Sequence, residues 1–288
     1  MTSRISYNDP KNVGGFSLAY HREMLSDMKR LTPLLRAIEE NCQDKVVFES
    51  GTGTGVLSIM AARAGARAVF CSEIDPAIAA FAKENIANSG CADRITLIEG
   101  STLDVTLADL GGRRPEVLVA ENLSTWQVTE PQNQVMNYLR TNLAQPGAVA
   151  IPAVSMNYLQ LAQAEYTFFD TVTLPCHFFE FSGIRNARQL SKPTLFTEFD
   201  YNTLSDTSVD KTITVTAWTG GTVNALRLTS PIHYSAGNEF DWSDSLMPPV
   251  VVPLVNSVNV KAGDQLTVSV RYDTNTRWED VRCEIAPR

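Results

Sequence analysis

No two cysteines in this chain stand at metal-ligand or redox spacing. The five present (Cys42, Cys71, Cys91, Cys176 and Cys283) are odd in number and scattered, and the three histidines (His21, His177 and His233) lie far apart. Neither a disulfide framework nor a zinc site is supported, so no metal is expected. Positive charge is also scarce: 24 Lys and Arg against 32 Asp and Glu leave a net charge of −8. Nucleic-acid binding needs a basic field, so no nucleic-acid partner is expected. An acidic balance is compatible with a cationic substrate. No apolar run approaches the ~18 residues of a membrane span, and the polar start MTSRISYNDPKNV carries no signal-peptide core. A cytoplasmic chain without membrane contact is the expectation. The P-loop signature is missing, and no serine or cysteine nucleophile dyad is evident.

What the chain does have is a glycine-rich turn in a β-α-β frame. Val46-Val47-Phe48 reads as a buried strand, and Glu49-Ser50-Gly51-Thr52-Gly53-Thr54-Gly55 follows it. Val56, Leu57, Ile59, Met60 and Ala64 then recur at helical spacing, and a second apolar run ends in Glu73, eighteen residues after Gly55. Gly51, Gly53 and Gly55 let backbone N–H groups approach a ligand where a Cβ would clash. Glu73 falls where such folds place the carboxylate that holds ribose hydroxyls. The bland alternative is a tight turn in any doubly wound domain.

Around this unit the texture divides the chain in two. Met24, Leu25, Met28, Leu31, Leu34, Leu35 and Ile38 form a helical stripe from Leu18 to about Glu40, and Pro33 predicts a kink or break within it. A helix over Ala77 to Asn88, strands at 95–100, 117–120 and 148–151, and a helix over 135–143 complete an alternating pattern. That alternation argues for a mainly parallel, doubly wound sheet. Beyond Pro152 the runs alternate as strands do, at 156–161, 212–218, 266–270 and 281–285, with Gly-rich turn signals between them. The fold class is therefore α/β: a doubly wound sheet followed by an antiparallel barrel or sandwich.

The chemistry-bearing residues are acidic. Glu121 leaves the end of the fourth strand, where ligands sit in open α/β sheets. Glu130 follows nine residues later, past Trp126. A loop that returns on itself can aim both carboxylates into one pocket, where they repel unless a cation bridges them or one takes a proton. A guanidinium suits that role, because its planar fork matches carboxylates bidentately. Two solvated loop glutamates are the alternative.

Taken together these segments resemble the protein arginine methyltransferase family, over essentially the whole chain. His21-Arg22-Glu23-Met24-Leu25-Ser26-Asp27-Met28-Lys29-Arg30 is similar to the family's N-terminal helix, H-x-E-M-L-x-D-x-x-R. The glycine turn with AARAGARAV resembles its S-adenosylmethionine motif, and Gly100-Ser101-Thr102-Leu103-Asp104-Val105 its adenine-side segment. Glu121 and Glu130 fall on its paired-glutamate loop. The resemblance implies a Rossmann-like cofactor domain over 1–151 and a β-barrel substrate domain over 152–288, with a short dimerisation arm around 179–195 and a homodimer. It implies S-adenosylmethionine as cofactor. Arg30 would pair with its methionine carboxylate, Glu73 with the ribose, and Glu49, Gly51, Gly53 and Gly55 would form the cradle. Thr102 and Asp104 would lie near adenine, and Met24 at the junction of cofactor and arginine. Glu121 and Glu130 would be catalytic, and Trp126, Asp241 and Trp242 would line the substrate.

The match departs from the family at four places. Leu103 stands where the family usually carries Glu. Phe240-Asp241-Trp242 replaces Thr-His-Trp, whose His pairs with the helix Asp, here Asp27; two aspartates form no such pair without a proton or cation. The family's tyrosine pair before the first helix is not evident, leaving Tyr7, Phe16 and Tyr20 as candidates to cover the cofactor. The arm is short. The acceptor implied is free L-arginine or a small guanidino metabolite, with an arginine side chain of a protein as the alternative. A catalytically silent cofactor-binding protein and a methyltransferase with an unrelated acceptor also stay open.

Overall fold

The structure, a computed structural model, describes residues 17–182 and 187–288. Two helices open it, α1 (Leu18–Ser26) and α2 (Met28–Asn41). The break predicted at Pro33 falls instead at Asp27, whose φ of −82° and ψ of 84° are non-helical. Asp27 Oδ1 accepts the Arg30 N–H at 3.3 Å, which satisfies one of the orphan donors of the new first turn. Pro33 stays inside α2, whose buried face carries Arg30, Leu31, Leu34, Ala37 and Ile38.

Next come β1 (Val46–Ser50), α3 (Val56–Arg63), β2 (Ala68–Glu73), α4 (Pro76–Asn88), β3 (Ile95–Glu99) and β4 (Val117–Ala120). Helix α5 (Gln132–Tyr138), extended by a π-helical turn over Leu139–Leu143, leads to β5 (Val149–Ile151). The strands form one parallel sheet in the order β3-β2-β1-β4-β5. β1, β2 and β4 are buried at every position, which is why those runs are continuously apolar rather than alternating. The strand order reverses between β1 and β4. Ser50 lies opposite both Ser72 and Ala120, so the glycine turn, Glu73 and Glu121 leave the sheet side by side. That crevice is where open α/β sheets bind ligands.

Past Pro152, whose bond to Ile151 is cis, the pairing becomes antiparallel. The strands are β6 (Val154–Gln163), β7 (Thr167–Phe168), β8 (Val172–Thr173), β9 (Phe178–Phe179), β10 (Arg188–Gln189), β11 (Thr194–Asp200) and β12 (Ser208–Thr216). They continue with β13 (Gly221–Thr229), β14 (Ile232–Ser235), β15 (Asn238–Phe240), β16 (Val250–Val260), β17 (Gln265–Asp273) and β18 (Arg282–Pro287). One sheet runs β15-β14-β6-β13-β16-β9, with β10 and β11 also on β6, and a second runs β12-β17-β18. Leu159, Phe196, Leu226 and Val268 share a core with Phe48, Leu118 and Trp126 of the first half. Tyr234, Phe240 and Met247 pack with Leu31 and Leu34 of α2 on the other side. Apolar burial therefore crosses between the halves on both faces of the parallel sheet.

The hairpin β7–β8 projects from the barrel, with Phe168, Val172 and Leu174 exposed and Phe169 94% exposed. In the stretch 179–195, where the arm is expected, residues 183–186 lie outside the described residues. Arg188 and Gln189 there pair with β6, and Leu190 is fully buried. The projecting element thus precedes the expected one. Among the described residues no helix is long and apolar enough to cross a membrane.

Candidate functional site

Gly51, Gly53 and Gly55 hold φ values of 66°, 56° and 88°, a region that other L-residues enter only at a cost. A Cβ on Gly51 would stand 2.8 Å from Asn122 Nδ2, and one on Gly53 3.2 Å from the His21 imidazole. The Gly53 N–H donates to Glu73 Oε2 at 2.8 Å and the Asp75 N–H to Oε1 at 2.9 Å. Glu73 therefore ties the turn to the end of β2.

Glu49, at 2% exposure, holds the turn from beneath. Its Oε2 accepts from Thr52 Oγ1 at 2.7 Å and from Ser58 Oγ. Burial pushes its carboxyl up to about 7 in spite of these hydroxyls. The direct cofactor contact expected of Glu49 is thus corrected to a buttress of the turn. Thr102 Oγ1 lies 2.7 Å from Ser50 Oγ and 2.6 Å from Ser72 Oγ, and Ser50 Oγ donates to Asn122 Oδ1 at 3.1 Å. Thr102 joins the strand ends, while Leu103 and Asp104 are exposed.

Arg30 enters the crevice from α2. Only 4% exposed, it donates through Nη1 to Glu121 Oε2 and through Nη2 to the Met24 carbonyl at 3.0 Å. The Met24 side chain is half-buried. Three buried polar atoms nearby have no hydrogen-bond partner: Arg30 Nε, Glu121 Oε1 and the Tyr234 hydroxyl. Burial first, then the charges of Glu121, Arg30 and Asp27, act on that hydroxyl. Glu130 shares the site. Burial and then the Glu121 charge push its carboxyl up to about 8, against the pull of Arg30. Tyr20 feels both glutamates, and its hydroxyl donates to the Ser245 carbonyl at 2.9 Å. Tyr7 and Phe16, the other candidates to cover the cofactor, lie outside the described residues.

Two expectations change here. Trp126 is a core residue, not a substrate wall: it is 0% exposed and stacks on Phe196 at 5.0 Å. Its Nε1 donates to the Tyr158 and Thr229 carbonyls, each at 3.2 Å. Asp241 is exposed and Asp27 is not left facing it. Two hydroxyls, Ser243 Oγ and Ser245 Oγ, donate to Asp27 Oδ2. Burial raises the Asp27 carboxyl, yet these hydroxyls, the Arg30 N–H and the Arg30 charge outweigh it and hold the group below its ordinary value. Trp242 lies beside them, half-buried, with Lys29 Nζ 5.0 Å from its ring centroid.

His21, Asn122, Tyr234, Ser243 and Ser245 were not legible as site residues. The available signal was position: His21 opens the helix motif, Asn122 follows Glu121, and the serines follow Trp242 by one and three residues.

The family description "Ribosomal protein L11 methyltransferase (PrmA)" matches residues 32–128, the glycine-turn half. The chain is 28% identical over 278 residues to the arginine N(omega)-methyltransferase of Streptomyces achromogenes subsp. streptozoticus, covering 89% of this chain and 77% of that protein. It is 30% identical over 158 residues to protein arginine N-methyltransferase 2 of Dictyostelium discoideum, covering 54% of this chain and 30% of that protein. By these likenesses the chain resembles the arginine N-methyltransferases along most of its length. Its fold matches that of the Trypanosoma brucei PRMT1 enzyme–prozyme heterotetrameric complex with AdoHcy at TM-score 0.76 and 20% identity, covering 93% of this chain and 96% of that chain. The chain is an S-adenosylmethionine-dependent methyltransferase. Its crevice fits that cofactor on three counts: a turn where no Cβ intrudes, a carboxylate at the end of β2, and a buried Arg30 Nε with a donor to spare.

Proposed function

We propose that the enzyme transfers a methyl group to an ω-nitrogen of a guanidino group, with free L-arginine or a small guanidino metabolite as acceptor. The observation that carries this is that Glu121 and Glu130 share one site, where the Glu121 charge adds to burial in pushing the Glu130 carboxyl up although Arg30 already pairs with Glu121. A planar cation that bridges both removes the repulsion and matches each carboxylate's geometry.

S-adenosylmethionine supplies an electrophilic methyl group. The backbone of Gly51, Gly53 and Gly55 would cradle it, Glu73 would take the ribose hydroxyls, and Arg30 Nε would face the methionine carboxylate. Thr102 and Asp104 would lie on the adenine side and Met24 at the junction with the acceptor. The chain's own residues then do three things. Glu121 and Glu130 draw positive charge onto the non-reacting guanidinium nitrogens, leaving a lone pair on the third. Arg30 fixes Glu121. Glu130, whose carboxyl already favours a proton, accepts the one lost after transfer.

Support for a small acceptor comes from the extent of the likeness. One match that runs along most of the chain is to an arginine N(omega)-methyltransferase, while the Dictyostelium protein arginine N-methyltransferase matches 54% of it. Asp241 and Trp242, on the loop docked against Asp27 and Lys29, are assigned to the amino-acid end of the acceptor. The division at 151/152 is proposed as the boundary of cofactor and substrate domains, and the apolar hairpin β7–β8 as the arm of a homodimer. The test is transfer of labelled methyl to free arginine against an arginine-rich peptide. Label on free arginine supports the reading, and label on the peptide alone selects the protein-directed one.

A further inference from the structure

Between Glu121 and Glu130, two consecutive residues hold left-handed backbone without being glycine: Trp126 at φ 59° and Gln127 at φ 53°. Such backbone persists only where surrounding structure over-determines it. The surroundings here come from the antiparallel half. Ser230, just past β13, accepts the Trp126 N–H at 2.8 Å and donates through its own hydroxyl to Asn157 Oδ1 at 2.6 Å. Asn157 Nδ2, on β6, donates to Gln127 Oε1 at 3.1 Å. Gln127 Nε2 donates to Ser155 Oγ at 2.8 Å. Main-chain N–H groups of Asn275 and Thr276 donate to the carbonyls of Gln127 and Val128. Gln127, Ser155, Asn157 and Ser230 are all 0% exposed, so a lost partner leaves a dry polar atom unpaired.

We propose that Ser230 and Asn157 are positioning residues for methyl transfer, locking Trp126 and Gln127 in the backbone conformation that sets the spacing of Glu121 and Glu130. This rests on the assignment of the two glutamates as the guanidinium clamp. The lock reaches the loop from β6 and the end of β13, whereas the cofactor cradle is built from the turns after β1 and β2. The Trp126–Gln127 lock and the glycine-turn cradle therefore rest on separate parts of the fold.

The test compares Ser230→Ala, Ser230→Thr and Glu130→Gln for methyl transfer to free arginine and to an arginine-rich peptide. S-adenosylhomocysteine affinity is measured by calorimetry alongside. Ser230→Ala is expected to lower kcat at least about tenfold with the Kd unchanged within about twofold. Ser230→Thr, which keeps the hydroxyl, is expected to restore most of the rate. Where Ser230→Ala fails to accumulate folded, Gln127→Ala removes two of the same bonds from the loop side and carries the same expectation. A kcat within about twofold of wild type in either variant, with Glu130→Gln inactive, overturns the lock and leaves the clamp standing. An active Glu130→Gln overturns the clamp instead.

Discussion

Arg30 donates to Glu121 through one end of its guanidinium while its Nε stays buried without a partner. In the proposed site one arginine would thus hold the catalytic carboxylate and keep a donor for the cofactor, which a planar five-donor fork permits and a single ammonium does not. Arg30→Lys is therefore expected to keep the charge but lose one of the two tasks. Calorimetry with S-adenosylhomocysteine should show affinity weakened by about tenfold or more. An unchanged Kd would remove Arg30 from the cofactor site.

The glycine turn makes a second prediction, because two of the chain's glycines separate backbone strain from crowding. Gly53 and Gly90 both hold positive φ, but a Cβ on Gly53 meets His21 at 3.2 Å and one on Gly90 meets nothing within 4 Å. Gly90→Ala should cost about 1 kcal/mol from backbone alone. Gly53→Ala should cost more in thermal unfolding and also weaken cofactor binding. Equal losses would mean that His21 gives way freely.

The pH dependence follows from Glu130, whose carboxyl lies at about 8 against an ordinary 4.5. Between those values the folded state binds a proton that the unfolded state has released, so stability falls as pH rises through that window and is level above it. Glu130→Gln removes this loss. Its stability relative to wild type should rise from pH 5 to pH 8.5 by on the order of 1–2 kcal/mol after solvent screening. In the free enzyme the acid limb of kcat/KM should lie near the same pH, the two glutamates titrating as a pair. A flat stability difference across that range would contradict the raised Glu130 carboxyl.

Asp27 caps α2 and also receives the Ser243 and Ser245 hydroxyls. Ser243→Ala with Ser245→Ala leaves the cap but frees the loop that carries Asp241 and Trp242. We expect a higher KM for the acceptor with cofactor affinity little changed, and an Asp27 carboxyl moved back toward its ordinary value. A KM equal to wild type would show that the loop docks without this latch.

The parallel half was legible because its strands are short, continuous apolar runs punctuated by Gly and Pro, and because Glu73 and Glu121 sit at strand ends. The helix break is at Asp27 rather than at Pro33: an interior proline is the stronger textual signal, yet a capping aspartate stands before Met28-Lys29-Arg30. For Trp126, sequence proximity to two glutamates says nothing of side-chain direction. Its left-handed backbone turns the indole into the core on Phe196. Ser243 and Ser245 were hidden because only folding brings them across more than two hundred residues to Asp27. The exposed apolar hairpin lies at 167–173, ahead of the stretch 179–195 in which the arm is expected, because Arg188 and Gln189 of that stretch pair with β6.

The most direct test of the clamp is single-turnover transfer of labelled methyl from S-adenosylmethionine to free arginine by wild type and Glu130→Gln, with S-adenosylhomocysteine binding measured on both. The clamp predicts label on arginine with wild type, a loss of about 100-fold or more in Glu130→Gln, and Kd values within about twofold of each other. Undiminished transfer by Glu130→Gln would contradict it.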